Sequence, residues 1–487
     1  MNGTLLHPQP GRRIGRLHIR ACVEEEARRA AILLGDALHT ATMPFSEQGK
    51  MLVVRRLALG RIAAHGSAAT LALHVERAMR EVVAAAVPFD LPAARHANAV
   101  TFSSRAEALA MLARRHARGV EADEWFWPTM VKAWRGVLSR GERWCALLEA
   151  AHSLPEAPLA AAAVVEEALR AGVEDELFAA VPPGSGAAWL RLAGWSATLI
   201  EEAGHAAPFL SARHEETARR WQRRWGPASE RLVWVAVMLA VIERPARAAD
   251  PRLPARAARW LAVACENAGA VTPASPETLA FSDEIAAIRD KPLRASETAV
   301  DVTPEKDASC AGGFTPCAGL LFLVPILERL GFADFLAAHP MLLECGFPAR
   351  LLCSIGALVG LRHDDPLALA LDEFDPSAPP TLLWEMPPLA HEILARPAPR
   401  TSLDSPLPAW RTVLRRWCRR EARIGLASLI CRPGFVAASR THLDVTFDVA
   451  TADPRVRRSA LDVDPGWVPW LGRVVRFHYL ESHELPG

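Results

Sequence analysis

Residues 317–332 read CAGLLFLVPILERLGF, nine large apolar residues around a short Glu-Arg pair, at the point where a long aperiodic stretch gives way to periodic sequence. Leu320, Leu321, Leu323, Val324, Ile326, Leu327 and Leu330 cover more than half of a helical circumference, so a helix here is buried on most sides. Pro325 lacks the amide donor that a continuous helix needs and clashes with the preceding turn. That predicts a kink, or two short helices joined at Val324. No catalytic group sits inside the segment.

Working outward, the chain upstream of Cys317 is rich in Pro, Ser, Thr, Asp and Glu between Thr272 and Gly313 and reads as a linker. Before it, a series of amphipathic or buried helices is predicted: Glu107–Ala117, Glu124–Leu138, Glu142–Leu154, Ala160–Ala171, Ala187–Ala203, Glu215–Trp225, Ser229–Glu243 and Ala255–Ala268. Ser104 and Glu107 have capping-box spacing at the start of the first. Ten tryptophans fall in this region, from Trp125 to Trp260. Their helical spacing beside alanine and leucine assigns them to helix packing rather than to base or sugar stacking.

Near the N-terminus the pattern is strand, helix, strand, helix: Arg13–Val23, Glu24–Leu38, Met51–Ile62 and Ala68–Val87. Such a unit leaves a sheet face to cover, against the next segment or another subunit. Downstream of Phe374, a Pro-rich stretch runs from Asp375 to Pro408 and a helix from Trp410 to Leu429. The period then changes to two in His442–Val449 (HLDVTFDV) and Arg473–Leu480 (RVVRFHYL), which predicts two strands, with Asp464-Pro465-Gly466-Trp467 as a turn between them. The fold class is therefore mainly α, α+β overall: an N-terminal α/β unit (1–90), a central helical domain (91–271), a linker (272–313), a second helical part (314–374), a Pro-rich linker (375–408), and a C-terminal helix plus β hairpin (409–487).

Length and composition bound the function. The 487 residues suffice for several cores, and 51% hydrophobic with 23% charged residues describes a folded globular protein. A mean hydropathy of +0.09 hints at surfaces covered by partners. A net charge of +1 gives nucleic-acid binding no global electrostatic support. The arginines at 411, 415, 416, 419, 420 and 423 follow helical spacing and read as a solvated helix face. Nine cysteines in mostly apolar runs read as buried thiols of a reducing compartment, and neither Cys310/Cys317 nor Cys345/Cys353 has zinc-knuckle spacing. The N-terminal residues lack the order of a secretory signal, and the longest apolar run, Leu232–Ile242, is about half of a membrane span. A cytoplasmic product is expected.

Chemistry is sparse. The chain has no phosphate-binding glycine loop and no nucleophile elbow. His214-Glu215 and His391-Glu392 begin like zinc-protease helices, but Ala218 and Ala395 stand where the second histidine is needed. Asp462-x-Asp464-x-Gly466 begins like a calcium loop, with Arg473 in place of the bidentate glutamate. His363-Asp364-Asp365-Pro366 reads as a helix start. The one ligand-like set is His442, Asp444 and Asp448 on one strand face with His478 on the other strand. Period-two logic explains the same pattern without any ligand, and it is read as a solvated sheet face. No catalytic, cofactor or metal residue is assigned.

The AGL opening, aliphatic run, proline and Leu-Glu-Arg-Leu-Gly ending of 317–331 resemble the hallmark segment of the tape measure proteins of contractile injection systems, the phage-tail-like particles. The strand-helix-strand order from Arg13 to Ile62, with Leu57–Ile62 at its end, is similar to the opening of that family. The resemblance implies a structural or assembly protein that contacts tube or baseplate subunits, and the sparse chemistry and balanced charge read above add the expectation of no enzymatic activity, cofactor, nucleic-acid partner or small-molecule substrate. As one helix the chain would reach roughly 730 Å, but 38 prolines and 15 tryptophans argue for compact domains. The alternatives are a metal-dependent hydrolase built on the C-terminal Asp/His face and a helical interaction scaffold.

Overall fold

The computed structural model describes residues 14, 17–20, 23–42, 51–61, 67–134, 138–195, 209–226, 229–269, 311–371, 384–395 and 405–481. It is mainly helical with two small sheets. The N-terminal part comprises α1 (Glu24–Thr40), β1 (Met51–Val54), α2 (Ala68–Ala84), β2 (Val87–Pro88) and β3 (Ala99–Phe102). Residues 14, 17–20 and 23 carry no strand, so the strand expected over Arg13–Val23 is absent there, and residues 13, 15, 16, 21 and 22 lie outside the described set. Among the described residues, 51–61, the expected strand over Met51–Ile62 is confined to its first four. The three strands make one sheet in the order β1-β3-β2, and β3 pairs antiparallel with β1. The sheet therefore straddles the boundary expected at residue 90. Helices α1 and α2 pack on each other through a core of their own, with Leu34, Ala37, Leu71, Ala72 and Val75 at its centre.

The central helices are α3 (Arg105–Ala117), α4 (Trp127–Met130), α5 (Arg140–His152), α6 (Ala157–Ala171), α7 (Glu174–Ala180), α8 (Ser185–Leu192), α9 (Ala212–Trp225), α10 (Glu230–Glu243) and α11 (Leu253–Gly269). Helix α6, APLAAAAVVEEALRA, packs against α3, α5 and α10 because its alanines let three neighbours approach closely. The left-handed Gly172 ends it. Helix α10 is buried almost throughout. Among the described residues the predicted helix Glu124–Leu138 is cut back to the single turn of α4: Pro128 lies in its first turn, and Val131, after it, is already extended, while residues 135–137 lie outside the described set. Trp127, Trp144, Trp221 and Trp234 are fully buried, with Trp189 stacked against His152 at 4.9 Å, so the tryptophans fill space between helices.

The second core is built on the opening segment. Residues Ala318–Phe322 form a 3-10 turn that passes directly into α12 (Leu323–Arg329), and Pro325 lies in the first turn of α12, where its missing amide costs no hydrogen bond. Then follow α13 (Phe332–Ala338), α14 (Pro340–Glu344), α15 (Phe347–Ala357), α16 (Pro366–Leu371), α17 (Pro388–Ala395), α18 (Pro406–Arg420) and α19 (Leu426–Ile430). The expected Pro-rich linker thus contains α17, which buries Ala390 and Ile393. The five-stranded sheet completes this core: β4 (Ala311–Thr315), β5 (Gly434–Ala438), β6 (His442–Asp448), β7 (Gly466–Val468) and β8 (Arg473–Leu480), in the order β4-β5-β6-β8-β7, with α20 (Pro454–Arg458) in the connection after β6. Two expectations are overturned here. The first residues of β4 fall inside the predicted linker 272–313. The two predicted strands, β6 and β8, run parallel rather than as a hairpin, since the chain between them crosses over through α20 and β7 instead of turning back at Asp464–Trp467. On the inner sheet face Phe322 stacks on Phe447 at 4.9 Å and meets Phe477 at 5.0 Å.

The two large cores are joined by charge. Glu344, at the end of α14, receives Arg247 Nη2 at 2.8 Å, Arg256 Nη1 at 3.0 Å and Arg244 Nη1 at 3.3 Å. Arg247 is 5% exposed and also donates to the Phe209 carbonyl. Nearby, a side chain on Gly472, whose φ is +65°, would meet Pro245 at 2.3 Å, so only glycine lets this turn reach the central part. Replacing Glu344 by alanine removes the carboxylate that three cations share, leaving Arg247 and Arg256 only their second partners Glu243 and Asp250, at an expected cost of about 3–5 kcal/mol in denaturant unfolding. The exposed pair Glu24–Arg28 is the control: Glu24→Ala is expected to cost less than about 0.5 kcal/mol.

Candidate functional site

The polar residues singled out on the C-terminal strands meet the central helices at the start of α3. Ser104 caps α3 by accepting the Glu107 amide at 3.1 Å. The Glu107 carboxylate does not close the expected capping box. It instead accepts Ser439 Oγ at 2.8 Å and Thr441 Oγ1 at 3.4 Å from the turn before β6. Arg476 on β8 reaches the Ser103 carbonyl at 3.0 Å, and Arg440 bonds to the Ile242 carbonyl at 2.7 Å and pairs with Glu166. The outer face of the sheet is therefore covered at this end by α3 and its neighbours, which corrects the reading of it as a solvated face.

His442 is 2% exposed. Its Nδ1 lies 2.7 Å from Thr441 Oγ1 and 3.7 Å from Glu107 Oε1, while Nε2 has no hydrogen-bond partner among the described residues. Burial pushes this imidazole down to about 4, the Arg476 charge adding to the effect, so it is neutral near pH 7. One register step away, His478 Nε2 approaches Asp444 Oδ1 at 3.4 Å. Burial works to raise the Asp444 carboxyl, but the His478 contact and the Arg476 charge outweigh it, and the net shift is downward. Asp448 is turned to a different task, accepting the Ala450 amide at 2.8 Å and capping a short 3-10 turn.

The four residues of the ligand-like set are thus split between three local partners, and only Asp444 and His478 come together. Among the described residues no three His, Cys, Asp or Glu side chains are grouped so as to hold a metal ion. The other motifs are likewise spent on structure. His214 Nδ1 is 2.8 Å from Glu243 Oε1. Asp462 pairs with Arg457 at 3.0 Å, and Asp464 accepts the Phe477 amide at 2.6 Å. Asp365 caps α16 through the Leu367 amide at 2.8 Å and accepts Thr315 Oγ1 at 2.8 Å. A cavity lined by Ala246, Leu371, Leu443, Trp470 and Arg473 lies on the inner side of β6, away from His442.

Sequence reasoning missed Glu107, Ser439 and Thr441 as one cluster, and Glu344 with its arginines. Each unites residues far apart in the chain with no local spacing to mark them. No family, curated protein or solved structure matches the chain. No helix among the described residues is long and apolar enough to cross a membrane.

The buried histidines set a pH dependence. His442 and His116 titrate near 4 and His152 near 3 in the folded chain, each lowered first by burial, against about 6.5 unfolded. The unfolded chain binds protons first, so stability is full above about pH 6.5 and falls as the pH drops toward 4. Urea unfolding measured across that window is expected to show the loss. His442→Gln is expected to remove its share of the slope, on the order of 3 kcal/mol between the two limits.

Proposed function

We propose that this chain is a structural or assembly protein of a contractile injection system, related to the tape measure component and working through contacts with tube or baseplate subunits. The resemblance of residues 317–331 and 13–62 to that family supports the partner class. The observation that carries the reading as an interaction protein is the N-terminal helix pair. Ile32 on α1 and Leu73 on α2 are 62% and 64% exposed, on helices whose core stands apart from both large ones. Large aliphatic side chains held out on a small, separately packed pair are typical of a surface that another protein covers. The ionisable groups described above are occupied in joining elements, consistent with a protein whose work is contact.

Deleting the chain from a strain that builds such particles is expected to leave tubes missing or of aberrant length in electron micrographs. Normal particles would count against the proposal. Ile32→Glu combined with Leu73→Glu is expected to preserve the circular dichroism spectrum while failing to restore assembly, and full restoration would remove the helix pair from the argument.

A further inference from the structure

The β4–β5 pairing ends at Thr315 opposite Gly434, with Cys317 two residues beyond one partner and Cys431 three residues before the other. The two strands therefore carry these cysteines toward each other as they leave the sheet. The elements that follow and precede them pack hard together. A side chain on Gly319 would fall 2.1 Å from the Leu429 carbonyl oxygen and 3.0 Å from that of Ile430, so the 3-10 turn after Cys317 lies directly on the end of α19. Both backbones are tied: the Cys317 amide donates to Thr315 Oγ1 at 3.2 Å, and the Cys431 amide donates to Ala427 O at 2.8 Å. The Cys431 side chain is close enough to act on the Cys317 thiol, and both cysteines are in the free form.

Their exposures differ. Cys317 is 2% exposed, whereas Cys431 is open to solvent. Burial pushes the Cys317 thiol up to about 11, so by itself it is a poor target for an oxidant. We propose that Cys317 and Cys431 form a reversible disulfide, with Cys431 the entry point for oxidation and Cys317 the resolving thiol. A peroxide transfers one oxygen to the Cys431 sulfur, giving a sulfenic acid and releasing water or an alcohol from the cleaved O–O bond. The Cys317 sulfur then attacks the Cys431 sulfur. The S–S bond forms, the S–OH bond breaks, and the hydroxide leaves as water with the Cys317 proton. The pair loses two electrons and the peroxide gains them. A dithiol returns the pair to the reduced form by exchange. The bond would clamp the open edge of the sheet, where β4 begins the second core, to the end of α19.

The full-length protein treated with hydrogen peroxide, blocked with N-ethylmaleimide and digested without reductant is expected to yield a Cys317–Cys431 cross-linked peptide by mass spectrometry. That peptide should vanish after dithiothreitol and be absent from Cys431→Ser. In Cys317→Ser, Cys431 is expected to pass on to sulfinic acid. Since burial of Cys317 makes that variant the one at risk of misfolding, the wild-type peptide map decides the matter. Recovery of wild-type Cys431 as sulfinic or sulfonic acid, or joined to a different cysteine, would overturn the proposal.

Discussion

A single carboxylate holds the two large cores in register. Glu344 is almost withdrawn from water between Arg244, Arg247 and Arg256, and each guanidinium comes from the central segment while the carboxylate comes from the second core. Desolvating four charges is costly, and the arrangement is stable only because every partner is matched, Arg247 by Glu243 and the Phe209 carbonyl as well, and Arg256 by Asp250. Such a junction is specific more than it is strong. It fixes how the 3-10 turn Pro245–Ala249 enters the second core, where Ala246 is buried, and this placement lets Gly472 close against Pro245. The Glu107 cluster makes a second, independent joint some distance along the same seam, tying α3 to the turn before β6.

Most helices were readable because their burial follows from local periodicity. The joint near Pro325 was legible only in part: the 3-10 turn gives way to the α-helix at Leu323, and Pro325 sits inside the first turn of that helix rather than at a break, because a proline there has no intrahelical amide bond to lose. Strand direction was not. Alternation in HLDVTFDV and RVVRFHYL states which side chains share a face, and it states nothing about whether the partner runs parallel or antiparallel. The turn chemistry of Asp464–Trp467 suggested a hairpin, but that segment belongs to the crossover. The helix predicted through Glu124–Leu138 failed because apolar spacing continued past the point where the backbone had become extended at Val131. The polar joints were invisible for a different reason: Glu107 and Ser439 are separated by most of the chain, and no one-dimensional pattern brings them together.

Read together, the polar groups of the C-terminal sheet show how a set that looks like a ligand site dissolves on folding. Each of His442, Asp444 and Asp448 finds a neighbour within its own stretch of chain or across one strand, and those local bonds, made by one ring nitrogen of His442 and by a single carboxylate oxygen each of Asp444 and Asp448, take up the groups that a shared ligand would need. A spacing of two along a strand is necessary for convergence but does not produce it, because twist and local capping separate the tips of side chains whose Cβ atoms share a face.

The topology of the second sheet also dictates a timetable. Its first strand in the chain, β4, pairs among the described residues with β5 alone, made well over a hundred residues later, and β8, which separates β6 from β7, comes last of all. During synthesis the central helices can settle as soon as α11 has emerged. The leucine-rich turn after β4 has no such option. At ribosomal speeds of about 5–20 residues per second, the roughly 170 residues between β4 and the end of β8 take on the order of ten to thirty seconds to arrive. For that interval the nascent chain presents Leu320–Leu330 without the strands that cover it, so the second core closes only after synthesis is nearly done.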